Sequence, residues 1–175
     1  MIKERMPAFG GMGVTMIYIL IVIVFVIVEY KIKDYVEENI QFGEKKDILK
    51  GRITIRKYYN KGAFLNFMEN KKEMVRSISS IFLGLLLLLF TIMLPKKGNK
   101  LFKLGLTLVL GGAISNVADR YLRGYVVDYF SINVKKLKNV IFNLADIAIF
   151  IGSILILLST VISAKFNGSA DESAE

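Results

Sequence analysis

Residues 14–28 read VTMIYILIVIVFVIV, an unbroken run of 15 apolar or nearly apolar residues that extends to about Ile32. Three further apolar runs follow, and the chain as a whole is 54% hydrophobic. These runs lie at residues 78–94, 101–118 and 140–164. Each is close to the ~20 residues that a helix needs to cross a hydrocarbon core about 30 Å thick. The pattern predicts a membrane protein built as an all-α bundle of four transmembrane helices.

The first run has a second interpretation, as the core of a cleaved signal peptide preceded by Lys3 and Arg5. A cleavage site of small residues should then follow the core. Glu29, Tyr30 and Lys31 stand there instead, so we expect an uncleaved span.

The residue types that the chain lacks narrow its chemistry. It has no Cys and no His, which excludes thiolate nucleophiles, histidine bases and zinc sites of the usual ligand set. We expect no cofactor and no metal, with carboxylates, Lys or hydroxyl groups left for any hydrolysis. The net charge of +9 flanks the apolar runs, which favours membrane lipids over nucleic acid as partners.

The two long connections between spans carry strand-like patterns at residues 52–59 and 125–132. Both connections lie on one side of the membrane, because the tight turn at 95–100 joins the second and third spans. A small extramembrane sheet is therefore expected on that side. We expect a single domain over residues 1–166 and a disordered acidic tail over 167–175.

Two aspartates interrupt apolar sequence near these connections. Asp146 follows Asn143 at the start of the fourth span, where an aspartate costs about 2.5–3.5 kcal/mol to insert. Since residues 140–142 are apolar, we expect the helix to begin before this pair and to carry both on one face. Asp128 interrupts the strand-like stretch. The alternatives are a helix N-terminal acid for Asp146 and a solvent-facing strand residue for Asp128.

Two carboxylates that meet can share one proton. At 4 Å and an effective dielectric of 20, two bare carboxylates would repel by about 4 kcal/mol, so one of them keeps its proton. The ionised one can then take a proton from water while the other donates to a carbonyl oxygen. This is aspartic-protease chemistry, which needs neither His nor Cys.

Small and polar residues also share one face at the end of the third span, which suits close packing around a polar cavity. They are Gly112, Ser115, Asn116 and Asp119. Arg120 could hold a substrate carbonyl or a lipid phosphate; the alternative is an ion pair of Asp119 with Arg120 or Arg123. Asn60 and Gly62 form only a turn signal. Glu29 and Lys33 form a helical i, i+4 pair of a kind that is most often structural.

Together these motifs resemble the bacterial lipoprotein signal peptidase, or type II signal peptidase, family. The similarity runs from the first span to the end of the fourth. The motifs that carry it are G-G-A at 111–113 followed by Asn116, D-R at 119–120, V-V-D at 126–128 and F-N-x-A-D at 142–146. Glu29 stands where the family usually has Asp, and Ser115 stands where Gly is usual.

The resemblance implies an intramembrane aspartic endopeptidase that cleaves prolipoproteins before a diacylglyceryl-modified Cys, with Asp128 and Asp146 as the catalytic pair. It also implies a small β-cradle beside the four helices and lipid-modified prolipoproteins as substrates. We expect the protein to be a monomer. The residues that would line the site and orient substrate are Asn60, Gly62, Asn116, Arg120 and Asn143. Those that would support it are Glu29, Lys33 and Asp119.

Two other functions fit the composition. A small proton- or ion-coupled transporter would also place carboxylates in the membrane, although near mid-span and without strands in the loops. A non-catalytic scaffold would tolerate replacement of both aspartates.

Two features of the sequence predict opposite orientations in the membrane. The side with the 95–100 turn holds seven of the 24 cations, so the positive-inside rule would place the long connections in the cytoplasm. The resemblance implies the opposite, with both termini cytoplasmic and the site near the outer face of the bacterial plasma membrane, where the lipid-modified substrate is presented. We adopt the second orientation as the expectation.

Overall fold

Four long helices form most of the structure. The computed structural model describes residues 9–62, 69–134 and 137–172, without the side chains of residues 9–12, 14, 69 and 166–172. The helices are α1 (Phe9–Asn39), α2 (Lys72–Met93), α3 (Lys100–Leu122) and α4 (Leu144–Glu172). Within the described ranges, each contains 22 to 25 residues that are apolar enough to cross a membrane. The predicted four-span bundle is confirmed.

Helix α3 lies at the centre of the bundle, in contact with α1, α2 and α4. In the apolar stretch of α3 that could cross a membrane, 56% of the residues are buried, against 11–17% in the other three helices. Its mean hydropathy of 1.6 is also the lowest of the four. Polar side chains are tolerated in α3 because it faces other helices rather than lipid.

The apolar core lies between α1, α2 and α3. Two of its side chains, Leu106 and Leu110 of α3, are almost completely buried. Their neighbours in the core are Tyr18, Val22, Phe90 and Leu94. Close packing of this kind, rather than transfer from water, holds helices together inside a membrane.

Glycines bring α3 and α4 into backbone contact. A Cβ at Gly112 would lie 2.5 Å from the carbonyl oxygen of Ala145, and a Cβ at Gly105 would lie 2.6 Å from that of Gly152. Neither approach is possible for a side chain, so the crossing depends on residues without a Cβ. The crossing sets the first turn of α4 against the polar end of α3.

A three-stranded antiparallel sheet lies outside the spans. Its strands are β1 (Lys46–Ile48), β2 (Ile53–Asn60) and β3 (Val126–Ile132), in the order β1-β2-β3. Ile53 pairs with Ile132, and Asn60 pairs with Val126 at the other end. The small sheet predicted from the two long connections is confirmed.

Strand β3 joins the sheet to the helices. Val127 and Tyr129 are buried and pack with Val36 of α1. Phe130 and Phe142 exchange backbone hydrogen bonds of 2.7 and 3.0 Å. This short bridge holds Phe142 beside β3, two residues before α4 begins.

The turn between β1 and β2 is strained. Leu49 and Lys50 have φ values of 50° and 58°, and Gly51 follows at 77°. The amide of Gly51 donates to the carbonyl of Ile48 at 3.1 Å and closes the turn. Turns of this hand usually contain Asn, Asp or Gly, since the left-handed conformation costs other residues about 1–2 kcal/mol each.

Some predicted boundaries are wrong. Helix α1 continues past Ile32 to Asn39 and α2 begins at Lys72 rather than residue 78, because charged turns extend both helices beyond their apolar runs. Helix α4 begins at Leu144 rather than residue 140, because Phe142 is bound to the sheet. The helix reaches Glu172, within the tail that we expected to be disordered; the domain division at residue 166 stays a prediction.

Candidate active site

Asp128 lies in the middle of β3 and is only 2% exposed. Asn143 Nδ2 donates to its Oδ1 at 2.7 Å, and Asn60 Nδ2 donates to its Oδ2 at 3.1 Å. Asn60 reaches it because β2, which ends at Asn60, runs beside β3. The alternative of a solvent-facing strand residue is therefore wrong.

Asp146 lies in the first turn of α4 and caps that helix. Because α4 begins at Leu144, Asn143 precedes the helix, and the predicted common helical face of the two residues is wrong. They form a capping box instead: Asn143 N donates to Asp146 Oδ2 at 3.1 Å, and Asp146 N donates to Asn143 Oδ1 at 2.9 Å. The interpretation of Asp146 as a helix N-terminal acid is therefore correct for Oδ2, which accepts the Asn143 N–H.

The other oxygen of Asp146 belongs to a second set of contacts, made through two asparagine side chains. Asn116 Nδ2 donates to Asp146 Oδ1 at 2.9 Å. Asn143 Nδ2, which bonds Asp128, also lies 3.2 Å from Asn116 Oδ1. The four residues form one hydrogen-bonded cluster where β3, α3 and α4 meet. Within the described ranges, no three carboxylates are arranged to hold a metal ion.

Burial and a neighbouring charge change the electrostatics of Asp128. The pKa of Asp128 is raised from 3.8 to about 7, first by burial and then by the negative charge of Asp146. Hydrogen bonds from Asn60 and Asn143 oppose this rise in the pKa of Asp128 without cancelling it. Asp146 accepts a backbone N–H at a helix N-terminus, where the dipole favours negative charge. The pKa of Asp128 thus lies near neutral pH, where this carboxyl group exists in both protonation states.

Arg120 holds the loop that follows β2. Its Nη1 donates to the carbonyl of Asn116 at 3.0 Å, and its Nη2 donates to that of Gly62 at 3.1 Å. Gly62 N in turn donates to Asn60 Oδ1 at 3.2 Å, which leaves the Asn60 amide to face Asp128. All five residues predicted to orient substrate therefore lie in or beside the cluster.

A buried network supports the cluster from α1. Lys33 is completely buried, and its Nζ lies 3.0 Å from Asp119 Oδ2. The same Nζ donates to Ser115 Oγ and to Asn116 Oδ1, both at 3.0 Å. Lys33 thus fixes the acceptor end of Asn116, so that the donor end of this amide points at Asp146.

Glu29 connects α1 to the two elements that carry the aspartates. Its carboxylate lies 3.9 Å from Lys33 and accepts hydrogen bonds from Tyr129 Oη at 2.8 Å and Ala145 N at 3.3 Å. Leu144 N donates to the same Tyr129 oxygen at 3.1 Å. Glu29 and Lys33 therefore contact the elements that carry the two aspartates, and their supporting role stays a prediction.

Asp119 makes one of the two ion pairs that the sequence offered. It pairs with Arg123 and with Lys33, and it accepts a hydrogen bond from Val127 N at 3.1 Å. Arg120 is turned away toward Gly62, so only the Arg123 pairing is present in the structure. Arg123 also pairs with Asp34 of α1.

A sequence model of the signal peptidase (SPase) II family matches residues 20–162. The match contains both aspartates and every residue of the cluster around them. The chain belongs to the signal peptidase II family.

Two solved structures of bacterial membrane enzymes, both obtained by the in meso method, are similar to this signal peptidase II chain. One, at 2.3 Å resolution, has a TM-score of 0.74 and 25% identity, and covers 84% of this chain and 88% of its own. The other, at 1.9 Å resolution, has a TM-score of 0.70 and 24% identity, and covers 91% of this chain and 97% of its own.

Membership of the signal peptidase II family makes the chain a multi-pass membrane peptidase that processes lipoprotein signal peptides. The transporter alternative is not favoured. Its expectation of acids near mid-span also fails, because Asp128 and Asp146 lie together at one end of the bundle.

Three residues that contact the cluster or its supporting network were absent from the prediction: Asp34, Arg123 as a link between helices, and Tyr129. Tyr129 had a usable signal, because side chains alternate along a strand. With Asp128 facing the site, Tyr129 must face the helices on the opposite side. Asp34 and Arg123 had no such signal, since their pairing depends on how α1 and α3 pack.

Proposed function

We propose that the protein is an aspartic endopeptidase that cleaves prolipoproteins before a diacylglyceryl-modified Cys, with Asp128 and Asp146 as its catalytic pair. The observation that carries this proposal is the cluster in which two carboxyl groups meet through Asn116 and Asn143. Because the chain has no His and no Cys, carboxyl groups are the best suited to move protons at this place.

The two carboxyl groups start the reaction in different states. Asp128, with its pKa raised to about 7, holds the proton. Asp146, bound by a backbone N–H and by the Asn116 amide, is the ionised partner. This division lets one group act as a general acid and the other as a general base.

Hydrolysis then balances over two steps. Asp146 takes a proton from water as the water oxygen attacks the scissile carbonyl carbon, and Asp128 gives its proton to the carbonyl oxygen. In the resulting tetrahedral diol, Asp146 gives its proton to the amide nitrogen as the C–N bond breaks, and Asp128 recovers a proton from a hydroxyl group. The products are a carboxylic acid and an amine, and the pair returns to its initial state.

Arg120 is suited to hold a substrate carbonyl beside the pair. Both of its Nη atoms are occupied, by Asn116 and Gly62, but its buried Nε has no acceptor among the described residues. A buried donor without a partner is costly, and a substrate carbonyl at the site would supply one. Asn60 and Gly62 would then line the same edge of the peptide.

An apolar cavity of about 450 Å³ offers a place for an acyl chain of the substrate. It lies along α1 and reaches α4 at Leu144, two residues before Asp146. Its other lining residues are Leu20, Ile21, Val24, Phe25, Val28 and Glu29. A lipid chain held there would bring the modified Cys, and hence the scissile bond, to the catalytic pair.

The position of this site supports a proposal for the orientation in the membrane. The sheet lies at the end of the bundle that carries the pair, whereas the 95–100 turn lies at the opposite end. We propose that the sheet end faces outward, where a lipid-modified Cys is presented, and that both termini are cytoplasmic. One chain supplies every residue of the cluster, which supports action as a monomer.

The test is cleavage of a lipid-modified prolipoprotein by the purified protein. Asp128→Asn and Asp146→Asn should each abolish cleavage while the protein still inserts, because an amide can neither give a proton to the carbonyl oxygen nor take one from water. Lys97→Gln, at the opposite end of the bundle, is the matched control and should cleave normally. Strong cleavage by either Asn variant, or activity that returns only with an added divalent ion, would overturn the aspartic mechanism.

A further inference from the structure

The turn between β1 and β2 presents an unusual mixture of side chains to its surroundings. All residues from Lys45 to Arg52 are exposed, including Ile48 at 37% and Leu49 at 65%. Four of these residues are cations, and within the described ranges none of the four has an ion pair. They are Lys45, Lys46, Lys50 and Arg52. We name residues 45–52 the hairpin edge.

A second apolar segment lies against the hairpin edge. Asn133 Nδ2 donates to the carbonyl of Gly51 at 2.7 Å, and Asn133 N donates to that of Arg52 at 2.8 Å. These bonds hold Val134, which is 58% exposed, next to the turn. The exposed apolar surface thus comes from two parts of the chain.

The backbone of the hairpin edge is held in a conformation that its sequence does not favour. Leu49 and Lys50 are both left-handed, where Asn or Gly would be relaxed. Strained backbone that the surrounding structure maintains is characteristic of functional surfaces. The strain directs a large apolar side chain and a cation outward together.

The hairpin edge is also separate from the catalytic pair. Strand β2 runs from Asn60, which bonds Asp128, to Ile53 beside the turn. Asp128 pairs with Tyr58, and Ile132, four residues further along β3, pairs with Ile53. Four residues at about 3.3 Å each place the start of the turn roughly 13 Å from Asp128 along the sheet. The part of β3 that packs on α1 is the part near Asp128, so the hairpin edge lies at the far end of the sheet.

A cavity of about 400 Å³ beside the hairpin edge is lined by two cations. Lys45 and Lys138 line it, together with one acid, Asp47, whose carboxylate is already bound by Thr54 Oγ1 at 2.5 Å. The remaining lining residues are Gly51 and Asn133. Cations beside exposed apolar residues match the head-group region of a membrane that contains anionic lipid.

We propose that the hairpin edge inserts Leu49 into the head-group region of the bilayer and binds the phosphate of anionic phospholipids through its cations. It thereby fixes the sheet, and with it Asp128, at one depth relative to the membrane surface. This contact does not depend on the aspartic mechanism, because it concerns residues that take no part in the hydrolysis.

The chain contains no Trp, so a single introduced indole reports on its own position. Leu49→Trp in the full chain would be compared in nanodiscs of phosphatidylcholine alone and of phosphatidylcholine mixed with phosphatidylglycerol. We expect emission at shorter wavelength and stronger quenching by brominated lipid in the anionic discs. Adding Lys46→Gln and Lys50→Gln, or raising the salt concentration, should reverse both effects.

Two further variants make the result decisive. Ile48→Trp repeats the measurement one residue earlier, in a strand without left-handed backbone, and Ile81→Trp, exposed on the α2 span, should be quenched equally in both discs. Emission from residues 48 and 49 that is open to aqueous quenchers in both discs would overturn the insertion. Equal embedding in both discs would overturn the assignment to anionic lipid.

Discussion

The ammonium group of Lys33 lies 3.0 Å from the carboxylate of Asp119, and neither residue is more than 2% exposed. The pair joins α1 to α3 directly beneath the amide of Asn116, which Lys33 also binds. In a buried pair, the interaction roughly offsets the cost of desolvating two charges, but loss of one partner leaves the other uncompensated. The pair therefore contributes little net attraction, whereas the loss of either partner would destabilise the site.

Lys33→Met should destabilise the protein by about 3–5 kcal/mol, because the carboxylates of Asp119 and Glu29 lose their shared cation. Lys31→Met, which removes an exposed lysine from the same helix, is the control and should change little. The free energy of unfolding in detergent is the measurement. Lys33→Met combined with Asp119→Asn should be less destabilised than the sum of the single variants. Equal stability of the two Lys variants would contradict the structural role.

The contribution of Asp128 to the free energy of unfolding should fall as the pH rises. Its pKa is about 7 in the folded protein and near 3.8 when unfolded, so between these values the folded state binds the extra proton. Stability from this group is thus fully present below pH 4 and is lost by about pH 7, a change of about 4 kcal/mol. The unfolding free energy of Asp128→Asn, measured relative to wild type, should rise over that range. A difference that is constant with pH would contradict the assignment.

The catalytic pair should act as one unit. Asp128→Asn combined with Asp146→Asn should be no less active than either single variant, since residues that share one function are not additive. The pH profile of kcat/KM should be bell-shaped, with two apparent pKa values that belong to the pair. A profile with a single limb, or a double variant much worse than both single ones, would separate their roles.

Arg120→Lys should lose most activity although the charge is kept. Lys cannot reach the carbonyls of Asn116 and Gly62 together, as the planar guanidinium does. Loss of one charged hydrogen bond is worth about 1.5–3 kcal/mol, which corresponds to roughly a tenfold to a hundredfold lower kcat/KM. Arg76→Lys, which alters a surface pair with Glu73, is the control. Full activity of Arg120→Lys would mean that the planar guanidinium group of Arg120 is dispensable.

The orientation can be tested with single cysteines, because the chain has none of its own. Lys45→Cys, beside β1, should react with a membrane-impermeant thiol reagent on intact cells. Lys97→Cys, in the turn between α2 and α3, should react only after the membrane is opened. The reverse pattern would place the sheet in the cytoplasm and restore the positive-inside reading of the loop charges.

The sequence by itself determined the four spans, the presence of a small sheet, and the restriction to carboxylate chemistry. These features are local. A sufficiently long run of apolar residues predicts a membrane span by itself, and the absence of His and Cys excludes their chemistry however the chain folds. Even the motif around Asn143 and Asp146 was visible. Its geometry was predicted wrongly, because the helix start depends on the contact of Phe142 with Phe130 across the chain.

Only the tertiary structure decided which polar groups meet. Glu29 and Tyr129 are 100 residues apart in sequence yet share a hydrogen bond of 2.8 Å, and no local pattern specifies that distance. The same holds for Arg120, whose two nearest acceptors come from its own helix and from the loop after β2. Periodicity identifies the buried face of an element. The partner of each buried polar group depends instead on how helices and strands pack, because every such group needs a hydrogen-bond partner in the surface that packs against it.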